Sequence, residues 1–254
     1  MSPNTTRLQG RTALVTGSTG GLGVAIAKAL AAQGALVVVS GRNKERGDAV
    51  VAEIRAAAGQ AEFVAADLGA GGAEVHRLAQ QATEVAGGPL DILVNNAGVW
   101  GMPEPTGDVS EQALLESYQT NVIAPFLLTG AVVPAMAERG HGAVVNVGSI
   151  TGLIGGDKSA LYSSTKAAVH SLTKSWAAEY GPRGVRVNAV APGPIATERA
   201  ADVADEIAPV LARIPSRRMS TPEEVAAAVT FLAGDDAGNI HGAILSVDGG
   251  WAAT

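Results

Sequence analysis

Short apolar runs of strand length alternate with helical patterns along almost the whole chain, and this alternation restricts the fold more than any other feature. The runs are Thr12–Thr16, Leu36–Val39, Phe63–Ala66, Asp91–Val94, Ala143–Val147, Val185–Val190 and Ala243–Val247. They are mostly apolar rather than alternating, which is typical of parallel strands that are buried on both faces. Alternating strands and helices favour a doubly wound sheet with right-handed crossovers. The sequence therefore predicts an α/β fold with a parallel sheet and helices on both faces.

The helical segments and the absence of linkers indicate one domain. Leu22–Gln33 has apolar residues at helical spacing on one face, Asn43–Ala58 predicts a second helix, and Leu161–Tyr180 predicts a long later one. The sequence contains no repeat, low-complexity tract or linker, so residues 1–254 are expected to form a single domain. The short polar stretch 1–9 is expected to be flexible.

The composition excludes several classes of protein. With 47% hydrophobic and 17% charged residues, the chain is typical of a globular protein. Its net charge of −6 gives no electrostatic support for nucleic-acid binding. Cysteine is absent and the four histidines lie far apart without ligand spacing, so no metal site is expected. Neither a signal peptide nor an apolar stretch of membrane-spanning length is recognisable. We therefore expect a cytoplasmic protein that binds neither nucleic acid nor a membrane.

The first strand leads directly into a glycine-rich loop, Thr16–Gly23, and then into a helix. Glycines permit a tight turn and close approach of a ligand, and the helix N-terminus presents free N–H groups and a partial positive charge. A pyrophosphate fits such a site, which lies where a doubly wound fold binds its ligand. A plain strand-to-helix turn and a site for S-adenosylmethionine are the alternatives.

The residues after the second strand favour NADP(H) as the cofactor. A protein that binds NAD usually has an acidic residue there to hold the ribose hydroxyls, but this chain has Ser40-Gly41-Arg42-Asn43. The guanidinium of Arg42 can hold the additional phosphate of NADP through two hydrogen bonds. A solvated arginine at the start of a helix is the alternative, so NAD(H) stays open.

Tyr162 and Lys166 lie four residues apart on a predicted helix and therefore share one face. A cation about 4 Å from the phenol, at an effective dielectric near 20, favours the phenolate by about 4 kcal/mol. Because one pKa unit is about 1.4 kcal/mol, the pair predicts a phenol pKa that is lowered by up to about three units, with desolvation acting against it. Such a phenol suits general acid–base catalysis. The same spacing also arises by chance, as a surface lysine near a half-buried ring.

Further motifs follow one another in a recognisable order. They are Thr16-Gly17-x-x-x-Gly21-x-Gly23, Asn95-Asn96-Ala97-Gly98, the set Asn121, Ser149, Tyr162 and Lys166, then Pro192-Gly193 and Val247-Asp248-Gly249-Gly250. Together they resemble the short-chain dehydrogenase/reductase family in its single-domain form, and the resemblance covers nearly everything from Gly10 to Trp251. It implies a Rossmann-like sheet of seven strands and an NAD(P)(H)-dependent oxidoreductase that interconverts a ketone and a secondary alcohol.

The resemblance also implies roles for four catalytic residues. Tyr162 would protonate a carbonyl oxygen, or act as the base in the reverse oxidation, and Lys166 would lower its pKa and hydrogen-bond the nicotinamide ribose. Ser149 would donate a hydrogen bond to the substrate oxygen, although a serine that caps a turn is the alternative. Asn121 would hold a water that relays protons to Lys166, a role that accounts for an asparagine in mid-helix.

The same resemblance implies a set of cofactor contacts. Asp67 and Leu68 would contact the adenine end, although Asp67 could equally cap the next helix. Asn95 would lie along the ribose, although it could also brace neighbouring strands. The full set is Gly17, Ser18, Thr19, Gly21, Leu22, Gly23, Arg42, Asp67, Leu68, Asn95, Ala97, Gly98, Tyr162, Lys166, Pro192, Gly193, Ile195 and Thr197.

Two positions depart from the pattern that is common in the family. Many NADP-using relatives carry a basic residue in the glycine loop, where this chain has Ser18 and Thr19, so Arg42 is the main support for NADP. Gly148 precedes Ser149 where a serine is common, and a smaller residue there would loosen the pocket.

The substrate side is expected to be mostly apolar. By resemblance, residues 196–216 form a lid whose mobility gates access. The candidate lining residues are Ser149, Tyr162, Val99, Trp100, Ile150, Leu153 and Ile154. They suggest an uncharged or partly apolar carbonyl compound, although Trp100 could instead lie in the core or an interface. Arg199 and Arg213 could meet an acidic substrate or be solvated.

Three hypotheses for the function remain open. The first is an NADP(H)-dependent carbonyl reductase, such as a 3-oxoacyl-thioester reductase, with a sugar or polyol dehydrogenase that uses NAD as its variant. The second is a non-catalytic dinucleotide-binding sensor, and the third is a methyltransferase; neither needs Tyr162 and Lys166 together. The helix Leu161–Tyr180 has small or apolar residues on more than one face, and the family commonly forms tetramers through it, so a homotetramer is expected, with a dimer as the alternative.

Overall fold

The computed structural model describes residues 7–100, 103–198, 200 and 204–254, and at its centre lies a sheet of seven parallel strands. The strands are β1 Thr12–Val15, β2 Leu36–Gly41, β3 Gln60–Ala65, β4 Ile92–Asn95, β5 Gly142–Val147, β6 Val185–Pro192 and β7 Ile244–Val247. Their order across the sheet is β3-β2-β1-β4-β5-β6-β7. The predicted Rossmann-like fold is thereby confirmed.

Eight α-helices of the described chain surround this sheet. They are α1 Gly21–Ala32, α2 Lys44–Ala56, α3 Gly72–Val85, α4 Glu111–Tyr118, α5 Ala124–Arg139, α6 Ala160–Tyr180, α7 Ala204–Leu211 and α8 Pro222–Ala233. One apolar cluster joins α1, α2 and α8 to one face of the sheet, and a second joins α3, α5 and α6 to the other. Neighbouring residues of β1 take part in different clusters, Ala13 and Val15 in the first and Leu14 in the second. This follows from the period of two along a strand, and it explains why the strands are apolar throughout.

Local side-chain caps determine where several helices begin. The Asn43 side chain accepts a hydrogen bond from the backbone N–H of Arg46, so α2 starts one residue after the start that the sequence predicted. At α8, Thr221 and Glu224 form a reciprocal capping box. Such caps satisfy N–H groups that have no partner within the helix.

The start of the chain is more ordered than its polarity suggested. Leu8 is only 2% exposed and belongs to the first apolar cluster. Its backbone N–H donates to the carbonyl of Gln33 at 2.8 Å. The burial of Leu8 thus ties residues 7–9 to the end of α1, which argues against the flexibility predicted for them. Residues 1–6 lie outside the described part of the chain.

The stretch Glu111–Arg139, which comprises α4, a π-helical turn and α5, is long and apolar enough to cross a membrane. The sequence-based expectation that no stretch is long and apolar enough to span a membrane was therefore wrong by these two criteria. Half of its most apolar window is buried inside the fold, and core helices of soluble proteins commonly pass the same test.

The strand order creates a crevice at one edge of the sheet. The chain starts at β1 and builds outward on both sides, with β2 on one side and β4 on the other. In open parallel sheets, ligands bind outside the carboxyl ends of the strands at this switch point. The glycine loop after β1 and the motif that begins at Asn95 both lie there.

Candidate active site

A cleft of about 180 Å³ opens at the carboxyl ends of β5 and β6, beside the glycine loop. Ser149, Tyr162 and Lys166 line it together, with Leu22 from α1 and Ile195 from the segment after β6. The fold therefore brings three of the four predicted catalytic residues into one cleft with residues of the predicted cofactor set.

A wider groove of about 570 Å³ continues from this cleft and shares Val99, Trp100 and Tyr162 with it. It extends to Arg42 and Asp67 at the carboxyl ends of β2 and β3. The two openings thus form a continuous path from the predicted catalytic residues to the residues predicted for the adenine end of a dinucleotide.

Three glycines of the loop occupy positions that disfavour a side chain, two because of their backbone conformation and one because of close contacts. Gly17 and Gly21 have φ values of 64° and 51°, in the region that favours glycine. A Cβ atom on Gly23 would lie closer than 3.0 Å to the Gly17 carbonyl and to the Asn96 side chain. A dinucleotide pyrophosphate needs this close approach of backbone and helix N-terminus, so the residues present fit such a cofactor.

Two residues of the loop brace the protein instead of facing the cleft. Ser18 is 0% exposed. Its hydroxyl donates to the Val15 carbonyl at 2.7 Å and accepts from the Ser40 N–H at 3.0 Å, so it ties β1 to β2. The Thr19 side chain packs against Gly41, which has no room for a side chain of its own. The Ser18 side chain therefore does not face the cleft, and the predicted cofactor contact of this residue stays a prediction.

The sequence left open whether Asn95 contacts the cofactor or braces neighbouring strands; in the structure Asn95 braces strands, and its neighbour Asn96 faces the cleft. The Asn95 side chain is buried and donates to Asn146 at 2.8 Å and to Thr129 at 3.3 Å, so it braces β4 against β5 and α5. Asn96 lines the cleft and donates to the carbonyls of Thr16 and Gly17 at 2.8 and 3.1 Å. Asn96 was not among the predicted site residues, although its place in the Asn95-Asn96-Ala97-Gly98 motif indicated a position beside the cleft.

The residues predicted for the adenine end lie at the far end of the groove. Asp67 caps a short 3₁₀ turn by accepting the Gly69 N–H at 3.0 Å, and it is exposed in the groove, so its two predicted roles are compatible. Leu68 is buried. Arg42 is exposed, and its guanidinium has no hydrogen bond or ion pair with any of the described residues, which leaves it available to an anion.

Asn121 lies in a π-helical turn, Gln119–Ile123, between α4 and α5. It is buried, and its side chain exchanges two hydrogen bonds with the backbone of Val99, at 2.8 and 3.0 Å, and donates a third to Thr165 on α6 at 3.1 Å. π-Helical turns are rare and frequently occur at functional sites. Asn121 therefore joins the Gly98 loop to the helix that carries Tyr162 and Lys166.

Lys166 is buried, and its ammonium donates to the Val147 carbonyl at 2.9 Å. It lies 5.6 Å from the centroid of the Tyr162 ring, within the range of a cation–π interaction. Burial lowers the pKa of Lys166 to about 8. The ammonium is still mostly protonated at neutral pH, and its charge is only partly balanced by dipoles.

The pKa of Tyr162 moves in the direction opposite to the prediction. Burial raises the pKa of this phenol to about 12, and the hydrogen-bonding influence of Ser149 offsets only part of the increase. The prediction of a lowered pKa was therefore wrong for the protein alone, because loss of solvation is the largest influence on this phenol. At neutral pH the phenol is protonated.

Ser149 combines the two roles that the sequence treated as alternatives. Its hydroxyl accepts from the Thr151 N–H at 3.2 Å and from the Thr151 hydroxyl at 3.0 Å, so it caps the 3₁₀ turn Ile150–Gly152. It also lines the cleft beside Tyr162. In this arrangement the hydroxyl proton of Ser149 remains available to a substrate oxygen.

The segment after β6 closes the other side of the cleft. Pro192, Gly193 and Ile195 line it as predicted. A Cβ atom on Gly21 would lie 3.7 Å from the Thr197 side chain, so Thr197 faces the glycine loop. The strand β6 itself runs as far as Pro192, two residues beyond Val190, where the sequence predicted its end.

The predicted substrate residues separate into two groups. Val99 and Trp100 line both openings, as predicted for the pocket wall. Ile150, in the turn that Ser149 caps, is only 2% exposed and lines neither of them. Leu153 is exposed and also lies outside both.

The predicted lid, residues 196–216, contains the helix α7 in its described part. Arg199 lies outside the described residues. Ile214 is fully buried, and the Ser216 N–H donates to the Gly249 carbonyl at 3.0 Å. The C-terminal end of the segment is thereby anchored to the Asp248-Gly249-Gly250 motif.

Comparison with known proteins agrees with this geometry. A family model described as enoyl-(acyl carrier protein) reductase matches residues 17–252. A solved structure described as a short chain dehydrogenase/reductase family protein is 42% identical, with a TM-score of 0.89 and coverage of 98% of this chain and 100% of the other. The chain belongs to the short-chain dehydrogenase/reductase family.

Two further members of the family carry more specific names. A cyclopentanol dehydrogenase of Comamonas sp. (strain NCIMB 9872) is 39% identical over an alignment of 253 residues. The match covers 97% of this chain and 99% of the relative. A solved structure of a putative NAD(P) dependent gluconate 5-dehydrogenase from Beutenbergia cavernae, with bound NADP at low occupancy, is 38% identical. Its TM-score is 0.92, and the match covers 99% of this chain and 100% of that one.

Proposed function

We propose that this protein is an NAD(P)(H)-dependent oxidoreductase that interconverts a ketone and a secondary alcohol. The observation that carries the proposal is the cleft in which Ser149, Tyr162 and Lys166 meet the residues beside the glycine loop. A dinucleotide sensor would need the loop but no buried phenol and ammonium, and a methyltransferase would need neither. The assignment as an oxidoreductase therefore gives a role to the phenol, the ammonium and the serine hydroxyl that the fold gathers in the cleft.

The cofactor would be held along the groove by elements at the carboxyl ends of the strands. Gly17, Gly21 and Gly23 leave room for a pyrophosphate at the start of α1, Asp67 faces the adenine end, and Arg42 is free to bind a 2′-phosphate. When bound, the nicotinamide supplies or accepts the hydride. The Gly98 loop and residues 192–197 would border the nicotinamide end.

The proton is the part of the reaction that the protein itself handles. Because burial keeps the pKa of Tyr162 near 12, the phenol is protonated at neutral pH and can donate its proton to a carbonyl oxygen. Ser149 would donate a second hydrogen bond to that oxygen and stabilise the developing negative charge. Lys166 would stabilise the phenolate left behind, and a water held near Asn121 would return the proton through Lys166.

The substrate is proposed to be a small alicyclic or other partly apolar ketone or secondary alcohol. Val99 and Trp100 give the entrance an apolar wall, and a relative that covers nearly the whole chain is named a cyclopentanol dehydrogenase. A sugar acid is the second candidate, because Lys158 and Glu104 add charge to the wider groove and a solved neighbour is a putative gluconate 5-dehydrogenase.

A substrate panel tests the proposal directly. The purified protein is incubated with NADPH or NADH and cyclopentanone, 5-ketogluconate or a 3-oxoacyl thioester. In the reverse direction it is incubated with NADP⁺ or NAD⁺ and cyclopentanol or gluconate. We expect oxidation of the reduced cofactor with at least one ketone, read from its absorbance. Tight cofactor binding without turnover on a broad panel of carbonyl and alcohol compounds would instead support the sensor hypothesis.

Replacing Arg42 with Ala tests the proposed preference for NADP(H). Charge-assisted hydrogen bonds contribute about 1.5–3 kcal/mol, so we expect the affinity for NADPH to fall by about 10- to 100-fold, while that for NADH changes by less than about threefold. Titration of the protein with each cofactor gives the two affinities. Arg46→Ala, which removes an exposed arginine in the first turn of α2 and outside the groove, is the matched control. Equal weakening of both cofactors by Arg42→Ala would contradict the assignment.

We further propose that the chain forms a homotetramer through a face made by α5 and α6. Phe126 is 52% exposed, and its ring lies 5.9 Å from that of Trp176 on α6. Ala167, Ser171 and Ala178 give α6 a flat exposed surface of small side chains. A face of this kind is expected to be covered, since large apolar groups and small residues permit close packing between subunits.

Phe126→Glu is expected to split this assembly, because it puts a charge into the contact. Light scattering during size-exclusion chromatography would show the tetramer of the parent protein reduced to dimers or monomers. Val85→Glu changes an apolar residue with 40% exposure on α3 and serves as the control, which should keep the parent mass. An unchanged mass for Phe126→Glu would exclude this face as the contact.

A cytoplasmic location is also proposed. It agrees with the net charge of −6 and with the half-buried position of the apolar α4–α5 stretch in the core. Cell fractionation would test it, and recovery of the protein in the membrane fraction would refute it.

A further inference from the structure

His170 on α6 is a buried residue to which the proposed mechanism gives no role. It is 4% exposed, and neither of its ring nitrogens has a hydrogen-bond partner among the described residues. Burying a polar group without a partner costs free energy, so the position of the ring calls for a physical explanation. It lies four residues after Lys166 and therefore one helical turn along the same face.

The imidazole ring occupies a space between two glycines. A Cβ atom on Gly148 would lie closer than 3.0 Å to Nε2 and Cδ2 of His170, and a Cβ atom on Gly152 would lie 2.8 Å from its Cε1. Real Cβ atoms do not come so close to a neighbour, and a ring so deeply buried cannot turn away. Gly148 and Gly152 are therefore needed for the ring to fit.

These two glycines flank Ser149 on either side. Gly148 is fixed to β6 by its N–H, which donates to the Val190 carbonyl at 2.8 Å, and the Gly152 N–H donates to the Ser149 carbonyl at 3.0 Å. The ring thus supports both ends of the short turn that carries the Ser149 hydroxyl. The Gly152 end also packs against the backbone of α6, since a Cβ atom there would lie 2.8 Å from the carbonyl carbon of Lys166.

We propose that His170 is a positioning residue for Ser149: its ring fills the space beneath Gly148 and Gly152 and holds the Ser149 hydroxyl at a fixed place relative to Tyr162 and Lys166. The inference rests on the proposed function, because it assigns a support to the residue that would stabilise the substrate oxygen. Displacing a reacting group by about 1 Å can cost about 100-fold in rate, which is why a support of this kind matters.

The charge state of the ring agrees with a space-filling role. The pKa of His170 is lowered to about 4, mainly by burial; the nearby backbone of Gly152 acts in the opposite direction, and the positive charges of Lys166 and Lys174 add to the lowering. The ring is therefore neutral at physiological pH. A neutral ring can lie one turn from the buried ammonium of Lys166 without repelling it.

Reciprocal variants test the fit between the ring and Gly148. Gly148→Ala is expected to lower kcat by about 10- to 100-fold with less than about a threefold change in the KM for cofactor, because its methyl group displaces the turn. Adding His170→Ala should restore most of the kcat of His170→Ala alone, since the two closest contacts of the methyl group are then gone and only the Val190 carbonyl, at 3.1 Å, remains near it. Gly152→Ala is the matched control, and His170→Ala should not rescue it, because its methyl group meets the helix backbone as well.

A cycle with Ser149→Ala separates positioning from a general structural role. We expect His170→Ala to lower kcat by about 10-fold when Ser149 is present but by less than about twofold when it is Ala, since residues that act through one another are not additive. His170→Leu refills the space without nitrogens and should recover most of the lost turnover. If Ser149→Ala leaves no measurable turnover, the rescue of Gly148→Ala decides the question.

The outcomes distinguish this inference from the proposed function. A parent protein without turnover on any ketone or alcohol contradicts the function itself, and melting temperatures of the four Gly148 and His170 variants then still report whether the two residues fit together. An active parent protein whose Gly148→Ala variant keeps its kcat, or is not rescued by His170→Ala, overturns the positioning role. Equal costs of His170→Ala with and without Ser149 overturn it as well, as does a His170→Leu variant as slow as His170→Ala.

Discussion

Tyr162→Phe is expected to lower kcat by about 10²- to 10⁴-fold, the usual contribution of a positioned general acid. The change removes one hydroxyl and leaves the ring, so its packing in the cleft beside Lys166 is kept. Cofactor affinity is expected to change by less than about threefold, because the glycine loop and Arg42 are untouched. Because Tyr162 is half-buried and lines the cleft, loss of its hydroxyl is expected to leave the free energy of unfolding nearly unchanged.

The measurement compares kcat in the reductive direction with cofactor affinity from titration, for the parent protein and the variant. Tyr118→Phe is the matched control, because the Tyr118 hydroxyl donates to Ser164 on α6 at 3.1 Å outside the cleft. It should turn over like the parent protein. A Tyr162→Phe variant with parental kcat would show that another group transfers the proton.

Gly23→Ala is expected to have the second largest effect, on stability and on cofactor binding together. Within a helix, Ala is favoured over Gly by about 1 kcal/mol, so helix propensity alone predicts stabilisation. The added Cβ atom, however, would lie closer than 3.0 Å to the Gly17 carbonyl and the Asn96 side chain. We expect a net loss of about 1–3 kcal/mol of unfolding free energy from this overpacking, and about a 100-fold loss of cofactor affinity as the loop is displaced.

Denaturant unfolding without cofactor, together with cofactor titration, checks both parts of this prediction. Gly20→Ala in the same loop is the control for stability, because Gly20 has an extended backbone with φ of −171° and a Cβ atom there meets nothing within 4 Å. It should unfold at the parent's denaturant midpoint. If Gly23→Ala were as stable as Gly20→Ala and bound cofactor normally, the close approach of α1 to the loop would not be needed.

Much of the fold could be predicted from the sequence because its signals are local. Each buried strand is an apolar run, and each was predicted to within a few residues; the helix ends differed where a side chain such as Asn43 supplies the cap. Gly17, Gly21 and Gly23 were recognisable because a backbone that approaches a ligand closely requires glycine at fixed spacing. These features depend on neighbours in the chain and can therefore be read along it.

Side-chain direction and solvation could not be predicted in the same way. Ser18 and Asn95 both stand in cofactor motifs, yet both point into the protein and brace strands, while Asn96 lines the cleft. Whether a side chain faces a ligand or the protein interior depends on which strands lie beside the residue and offer it hydrogen-bond partners. The sequence places those strands only approximately.

By itself, the sequence determined that this chain folds into a doubly wound parallel sheet and that its phenol, ammonium and serine serve one site. Only the tertiary structure decided that the pKa of Tyr162 lies above its ordinary value and not below it, because this pKa depends on how much solvent the whole fold removes. It also decided that His170 lies beneath the turn of Ser149, since the space between Gly148 and Gly152 exists only once α6 packs against the end of β5.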